Sequence, residues 1–295
     1  MTSAKELYNR INRNARTREI TPDELKHLQS VLLRCYLDVQ AVCEKHGLNI
    51  MLGGGSCLGA VRHQGFIPWD DDVDVNMPWE DYRRFCKIFD AELGEKYSLF
   101  APNHGDENTN RFPMIKIRGT SLTSGGSTNE IKIDIFIIEN VPKSRLAQKC
   151  KGLFCHALML IASSAQQYES TGESVLKQTK EGRRFLRRRL LIGRLFSFKT
   201  AQYWLNAVDR ACRYERETGI VSIPTGRNHY FGEMQPVETF LPMSKGTFEG
   251  HEVNLPGNPH AYLSKLYGSD YMTPPPPEKR ERHSIEKIDF GEYRE

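Results

Sequence analysis

The most constraining feature of the sequence is a run of aspartates that meets alternating valines, Asp70-Asp71-Asp72-Val73-Asp74-Val75. Alternation of acidic and apolar residues predicts a strand over residues 72–77 with one buried face. Asp72 and Asp74 then point to the same side. Two carboxylates on one face repel each other unless a cation lies between them, and Mg²⁺ and Mn²⁺ prefer oxygen ligands. A solvated acidic loop is the alternative, but the valines argue against it because they would bury the opposite face.

A second carboxylate candidate lies farther along the chain, in the apolar segment from Ile131 to Ile137. Asp134 is in the middle of this segment, and a buried Asp is costly unless it is paired or metal-bound. If the two strands are neighbours, Asp134 converges with Asp72 and Asp74 on one metal site. A structural salt bridge with Lys132 is an equally good interpretation of the same residue.

A glycine-rich turn precedes the aspartates. Residues 48–52 read as a short buried strand, Gly53-Gly54-Gly55-Ser56 as a tight turn, and residues 57–63 as a short helix. Glycines allow the backbone to approach a phosphate closely, and the N–H groups at a helix start favour anions. Such turns are common between strands and helices, so this feature alone is weak.

The three features in this order are typical of the nucleotidyltransferase superfamily, in which two Mg²⁺ ions clamp an in-line displacement at a nucleotide phosphate. Residues 53–82 resemble the signature block of the LicD family, which includes bacterial phosphocholine transferases and is related to the fukutins, which transfer ribitol phosphate. Residues 132–142 and 266–283 resemble the second and C-terminal blocks. The resemblance spans residues 25–285 and is weaker over 143–225.

The resemblance implies a reaction in which a CDP-linked alcohol donor gives phosphocholine, phosphoribitol or phosphoglycerol to a hydroxyl of a cell-surface glycan or its lipid-linked precursor, releasing CMP. Mg²⁺ or Mn²⁺ would be held by the three carboxylates, and Asp134 would activate the acceptor hydroxyl, directly or through a metal. The groups implied to hold donor phosphate oxygens are Gly54, Gly55 and Ser56.

Two pairs of cations are further candidates for the site. Arg62 and His63 end the short helix, where they either reach the developing negative charge or close the helix electrostatically. Lys116 and Arg118 share a face of a predicted strand, where they either offset phosphate charge or line an exposed edge. The residues leave both choices open.

The C-terminal block adds cations after four consecutive prolines, Pro274 to Pro277. Prolines fix an extended path that can bring this segment back over the active site. A solvated tail is the alternative, and the family resemblance favours the return. The cations expected to bind the donor are Lys279, Arg280 and His283.

A strongly basic segment lies between Lys177 and Lys199, with nine Lys/Arg and one acid. Residues 182–198 have helical amphipathic spacing, which is typical of a helix on an anionic membrane surface or of a bundle helix with a charged outer face. We lean towards peripheral membrane contact and leave the bundle interpretation open. A nucleic-acid groove is a third reading, and we do not expect a nucleic-acid partner.

Composition limits the class of protein. The chain has 295 residues, a net charge of +4 and seven cysteines without a CxxC pair. The cysteine pattern argues against a disulfide framework, and the polar N-terminus shows no secretory signal. We therefore expect a cytoplasmic protein. If the basic helix binds the membrane, we expect the protein to be peripheral at its inner face.

The predicted fold class is α+β, with a mixed sheet, flanking helices and a helical insertion on a nucleotidyltransferase-like core. The expected segments are a tail (1–20), a catalytic core (21–142), a helical region (143–219) and a segment that returns to the active site (220–295). Within the core, Thr123 to Asn129 is rich in Gly, Ser and Thr and predicts a loop.

Two rival functions remain open at this point. A nucleotidyltransferase that moves NMP from an NTP to a small molecule, a protein or an RNA would use the same three carboxylates. Its by-product would be pyrophosphate, whereas phospho-alcohol transfer releases CMP. A binding module without activity is the third reading, and the three intact acids argue against it.

Overall fold

The computed structural model describes residues 18–104, 110–124, 127–170, 180–276, 280 and 284–293. Eight α-helices lie in these parts of the chain. They are α1 (Pro22–Lys45), α2 (Gly54–His63), α3 (Trp79–Leu93), α4 (Arg145–Glu169), α5 (Lys180–Leu195), α6 (Ala201–Cys212), the single turn α7 (His229–Gly232) and α8 (Pro259–Tyr267). None of the helices in the described ranges combines the length and the apolar run that a bilayer crossing requires.

The start of α1 is set locally. The Thr21 hydroxyl accepts a hydrogen bond from the Glu24 N–H at 3.2 Å, and the Glu24 carboxylate accepts one from the Thr21 N–H at 3.0 Å. Pro22 occupies the first turn, where no N–H is needed. This reciprocal capping box satisfies two backbone donors and confirms the predicted helix start.

Strands account for most of the remaining regular structure. They are β1 (Arg18–Glu19), β2 (Met51–Leu52), β3 (Asp74–Pro78), β4 (Tyr97–Phe100), β5 (Met114–Ile117), β6 (Ser121–Ser124), β7 (Ser127–Asn129), β8 (Lys132–Asn140), β9 (Ile220–Ser222), β10 (Gln235–Pro236), β11 (Ser244–Phe248), β12 (His251–Leu255), β13 (Ser284–Ile285) and β14 (Lys287–Asp289).

The main sheet is open and mixed, with β8 at its centre. On one side, β8 pairs in parallel with β3, and β3 pairs antiparallel with β2. On the other side, β5 pairs with the first half of β8 and β9 with its end, both antiparallel. Helices and a mixed sheet confirm the α+β class.

The two faces of β8 have different environments. Ile133, Ile135 and Ile137 are buried in the main core, on the side where α1 and α3 pack against the sheet. Asp134 and Phe136 alternate with them and face open cavities. The alternation of strand side chains therefore places the carboxylate at the sheet surface while the isoleucines anchor the strand.

The helical region has a core of its own. Helix α4 packs against both α5 and α6. Its apolar residues join those of α6 and α7 in a cluster separate from the main core. The buried members are Val141, Cys155, Leu158, Met159, Ala162, Leu205, Val208, Cys212 and Tyr230.

Three expectations about local structure were wrong. The Gly-rich turn is instead the first turn of α2, which begins at Gly54. The loop expected over 123–129 contains strand β7, which pairs with β6, while β6 also pairs with β14. Residues 18 and 19 of the expected tail form β1 and pair with β13, and residues 1–17 lie outside the described residues. For β1 and β6 the pairing partners β13 and β14 lie far along the chain, so the local sequence pattern does not reveal these strands.

Candidate active site

The site is built around the start of α2, where three glycines face polar side chains. A Cβ on Gly53 would lie 2.5 Å from the Asn76 amide oxygen, and a Cβ on Gly54 2.5 Å from Asp74 Oδ2. A Cβ on Gly55 would lie 2.9 Å from Asp70 Oδ2. The absence of side chains therefore makes room for two carboxylates and an amide directly against the helix.

The helix start is also bonded within the protein. The Gly54 N–H donates to the Tyr262 hydroxyl at 3.0 Å, and the buried Ser56 hydroxyl accepts from the Asp74 N–H at 2.9 Å. These contacts tie α2 to β3 and to α8. The phosphate-binding role predicted for Gly54, Gly55 and Ser56 remains a prediction, and two of these groups already have partners.

Asp74 and Asp134 lie opposite each other on the parallel strands β3 and β8. The Lys132 ammonium contacts the Asp134 carboxylate, so the predicted salt bridge is present beside the predicted convergence. Desolvation, followed by the charges of Asp72, Asp134 and Asp70, raises the pKa of Asp74 well above its ordinary value, and Lys132 opposes this. Desolvation also raises the pKa of Asp134.

Several carboxylates are thus gathered beside one lysine, and this donor set fits a divalent cation with oxygen ligands. Among the residues that the structure describes, the set of carboxylate oxygens within 4.8 Å of one another is Asp70, Asp71 and Asp72. Asp74 and Asp134 lie on adjacent strands next to this set. The predicted triad of Asp72, Asp74 and Asp134 therefore remains a prediction, with Asp70 as a neighbouring carboxylate.

Two cavities meet at the carboxylates. The first, of about 670 Å³, is called the carboxylate cavity, and five aspartates line it: Asp70, Asp72, Asp74, Asp134 and Asp270. The second, of about 810 Å³, is called the arginine cavity, and its lining includes Arg111, Arg227 and His229. Both cavities are lined by Asp74, Phe136, Arg227 and Tyr267. Asp74 is therefore accessible from both compartments.

Arg62 is placed at the site. It lines the carboxylate cavity, and its guanidinium donates to the Tyr271 carbonyl and to His63 Nε2, each at 2.9 Å. Desolvation lowers the pKa of Arg62, and desolvation together with Arg62 lowers the pKa of His63. The pair thus connects the end of α2 to the C-terminal segment.

Lys116 and Arg118 have other partners. The Lys116 ammonium lies 3.5 Å from the centroid of the Phe100 ring. Arg118 Nε donates to the carbonyls of Gly94 and Tyr97, each at 3.0 Å. Neither residue is part of the lining of the two cavities. The phosphate-binding role of these two cations remains a prediction. The exposed-edge alternative is wrong for β5, because β5 lies between β4 and β8 in the sheet.

The C-terminal segment returns to the core. Pro274 to Pro276 line the carboxylate cavity, and the Arg280 guanidinium lies 4.1 Å from the centroid of the Trp69 ring. Trp69 also lines this cavity. Lys279 and His283, predicted with Arg280 to bind the donor, lie outside the described residues.

Sequence reasoning missed the arginine cavity. Arg111 precedes β5. Arg227 lies in a turn more than a hundred residues farther along the chain, and His229 begins α7 directly after this turn. Neither position belongs to a short motif, and the distance in sequence hides their proximity. The arrangement as a whole offers carboxylates for cations on one side of Asp74 and guanidinium groups for anions on the other, which suits chemistry at a charged phosphate ester.

Comparison with known proteins gives a family for part of the chain. Residues 47–150 match the family described as LicD/FKTN/FKRP, nucleotidyltransferase domain. This range contains α2, β3 and β8, and hence all the carboxylates discussed above except Asp270.

Individual relatives extend the match. The lipopolysaccharide cholinephosphotransferase LicD of Haemophilus influenzae is 28% identical over 273 residues, which cover 89% of this chain and 97% of that protein. The ribitol 5-phosphate transferase FKRP of Homo sapiens is 45% identical over 56 residues, 19% of this chain and 11% of that protein. An uncharacterized protein of Rickettsia typhi, RT0683, is 41% identical over 51 residues, 17% of this chain and 16% of that protein.

Proposed function

Residues 47–150 form a LicD-family nucleotidyltransferase domain in a transferase of phosphate-containing groups, and from this premise we propose a specific reaction. The chain transfers a phospho-alcohol from a CDP-linked donor to a hydroxyl of a cell-surface glycan or its lipid-linked precursor. Phosphocholine is the first candidate group, because the relative aligned over nearly its whole length is a cholinephosphotransferase. Phosphoribitol and phosphoglycerol are the other candidates.

The observation that carries the proposal is the convergence of carboxylates between the two cavities. Asp74 and Asp134 are adjacent across β3 and β8, and the charges of Asp72 and Asp70 act on Asp74. Such crowding is unfavourable without a counter-ion. We propose that Asp72, Asp74 and Asp134 hold Mg²⁺ or Mn²⁺, which would neutralise the donor diphosphate when bound.

The transfer itself consists of bond formation, bond cleavage and proton transfer, and residues of the chain assist it. An acceptor oxygen forms a bond to the phosphorus that carries the alcohol, and the bond from that phosphorus to the oxygen of CMP breaks. The electron pair leaves with CMP. The Asp134 carboxylate is the candidate to accept the acceptor proton, and Arg62, in the carboxylate cavity, is the candidate to stabilise the developing negative charge.

The alternative is transfer of NMP from an NTP, which would use the same carboxylates. The alignment with the cholinephosphotransferase favours phospho-alcohol transfer, because it includes both the core and the helical and C-terminal segments. The C-terminal segment lines the carboxylate cavity with Asp270, Tyr271 and prolines.

We also propose peripheral membrane contact through the outward face of α5 and the residues that follow it. On this face, exposed Leu191, Leu195 and Phe198 lie among exposed Arg187, Arg188 and Arg194. Helix α5 packs on α4, so the bundle interpretation holds for its inner side. Exposed leucines among arginines would bury apolar area in an anionic membrane surface and pair the guanidinium groups with lipid phosphates.

Donor binding tests the proposed reaction. Calorimetry would compare CDP-choline, CDP-ribitol, CDP-glycerol, CTP and ATP, each with and without Mg²⁺. We expect metal-dependent binding of one CDP-alcohol and weak binding of the triphosphates. Tight metal-dependent binding of a triphosphate without a preference for CDP-alcohols would contradict the proposal and favour NMP transfer.

A further inference from the structure

The two cavities that meet at Asp74 differ in charge. Besides Asp74, the carboxylate cavity is lined by four more aspartates, with Arg62 and Arg227 as its cations. The arginine cavity has Arg111 and Arg227, and besides Asp74 its only acid among the described residues is Glu233. A phosphate without a bound metal is therefore more favourable in the arginine cavity, while the carboxylate cavity favours cations.

The arginine cavity also offers flat apolar surfaces. The rings of Phe112 and Phe136 are 4.8 Å apart at 37° and both line the cavity. The Tyr267 ring lies on the same lining, with the Arg227 guanidinium 5.5 Å from its centroid. A planar base can stack on such rings while its phosphate reaches the guanidinium groups.

The turn that carries Arg227 and His229 is rigidly held. Buried Glu233 accepts the Asn228 N–H at 2.9 Å, and the Asn228 side chain donates to the Leu266 carbonyl at 2.9 Å. His229 has a φ of +55°, a conformation that costs energy for a residue with a side chain. Such a conformation persists only where the surrounding structure fixes it.

His229 has a polar atom without a partner. Its Nδ1 is buried and accepts or donates no hydrogen bond among the described residues. The ring lies edge-on to His156 at 5.6 Å, and His229 lines the arginine cavity. The residue His229 therefore places an imidazole ring at the wall of the arginine cavity, beside Arg111 and Arg227.

We propose that the arginine cavity binds the nucleoside monophosphate half of the CDP-alcohol donor, with Arg111 and Arg227 on its phosphate and the aromatic rings on its base. This inference rests on the proposed function. The alcohol half and the acceptor then lie in the carboxylate cavity. Arg227 lines both cavities, so it stays beside the CMP phosphate as the bond to the alcohol-bearing phosphorus breaks and the electron pair moves onto CMP.

The test is CMP binding measured by calorimetry without divalent metal, for the full chain and for single variants. Arg111→Ala and Arg227→Ala should each weaken CMP binding by about tenfold or more, since each removes a charged hydrogen-bond donor to phosphate. Phe112→Ala should weaken binding of CMP more than binding of inorganic phosphate. Arg62→Ala tests the carboxylate cavity. Arg83→Ala, at an exposed arginine of α3 outside the lining of both cavities, is the control that should leave CMP affinity unchanged.

The outcomes separate this inference from the proposed function. If the wild-type chain turns over a CDP-alcohol but Arg111→Ala and Arg227→Ala bind CMP as tightly as wild type, the inference is overturned and the proposed function stands. Loss of CMP binding in Arg62→Ala alone would place the nucleotide in the carboxylate cavity. If CMP binding is too weak for calorimetry, the inhibition constant of CMP in the turnover reaction ranks the wild type and the variants in the same way.

Discussion

At the scale of single residues, the glycines of α2 matter because they have no side chains. Gly54 has a φ of +44°, and its missing side chain leaves the space that the Asp74 carboxylate occupies. The glycines let β3 approach the helix closely, and their predicted role in phosphate binding remains a prediction. The Asp74 carboxylate thereby lies against the first turn of α2.

Replacement of Gly54 by Ala should abolish turnover. The new Cβ would meet Asp74 Oδ2 at 2.5 Å and displace it, and the positive φ adds about 1 kcal/mol of backbone strain. Gly250→Ala is the matched control, because Gly250 has a φ of +79° and nothing lies within 4 Å of the position that its Cβ would occupy. Turnover assays and urea unfolding of both variants measure the two effects.

Similar losses of stability in both variants, with turnover lost only in Gly54→Ala, are the expected result. Normal turnover in Gly54→Ala would show that the contact between Gly54 and Asp74 has no catalytic importance.

Glu233 should make stability depend on pH. Burial raises its pKa from 4.5 to about 7. The Glu233 carboxyl therefore binds its proton more tightly in the folded state than in the unfolded state. The protonated carboxyl contributes fully to the free energy of unfolding below about pH 4.5, and this contribution is lost as the pH rises through about 7. Glu233→Gln keeps the acceptor for the Asn228 N–H and removes the ionisation.

The unfolding free energy of Glu233→Gln relative to wild type should therefore increase between about pH 5 and about pH 8, by about 3 kcal/mol at most. Urea unfolding at several pH values measures this difference, and the exposed Glu238→Gln serves as the control for loss of a carboxylate. A difference that is the same at all pH values would contradict the account.

At the scale of elements, α5 combines two surfaces. Leu186 and Gly193 are buried, and a Cβ on Gly193 would lie 2.4 Å from the Ser164 carbonyl of α4, so close helix packing fixes this inner side. The outward face carries the exposed leucines and arginines. The amphipathic pattern predicted a helix here correctly, but periodicity alone does not tell which residues meet a neighbouring helix.

Reversal of charge on the outward face should reduce binding to anionic vesicles. With about 1 kcal/mol per basic residue, Arg187→Glu, Arg188→Glu and Arg194→Glu together should lower the partition coefficient by about a hundredfold. The measurement is co-sedimentation with phosphatidylcholine vesicles that contain phosphatidylglycerol. A variant with Lys26, Lys87 and Lys265 changed to Glu has the same net charge and tests whether position matters.

Unchanged co-sedimentation of the arginine variant would show that α5 does not bind the membrane and is only a bundle helix. Equal losses in both variants would show a general charge effect without a defined membrane-binding face.

At the scale of the whole molecule, the sequence predicted the features that depend on interactions between residues close together in the chain. The capping box of α1, the helix at Trp79 and the alternation in β8 are fixed by neighbouring residues. The α+β class and the adjacency of Asp74 and Asp134 followed from pattern order and family resemblance. These features need few long-range contacts to be recognised.

Long-range pairing explains most of what was missed. The β6–β7 pair is completed by β14, about 165 residues away, and its polar residues resemble a loop when read alone. The arginine cavity brings Arg111 together with residues 225–229, more than a hundred positions farther along the chain. Lys116 and Arg118 were expected at the site, but the structure gives them contacts near Phe100 and Gly94. A single sequence carries no signal for such proximity.

The most direct test of the account is identification of the reaction product by phosphorus NMR. The full chain would be incubated with Mg²⁺, a glycoside acceptor and either a CDP-alcohol or CTP, beside an Asp74→Asn variant and an Asp90→Asn surface control. We predict CMP and a glycan phosphodiester from one CDP-alcohol, with turnover about a thousandfold lower in Asp74→Asn and unchanged in Asp90→Asn. Pyrophosphate from CTP with every CDP-alcohol left intact, or normal turnover by Asp74→Asn, would contradict this prediction.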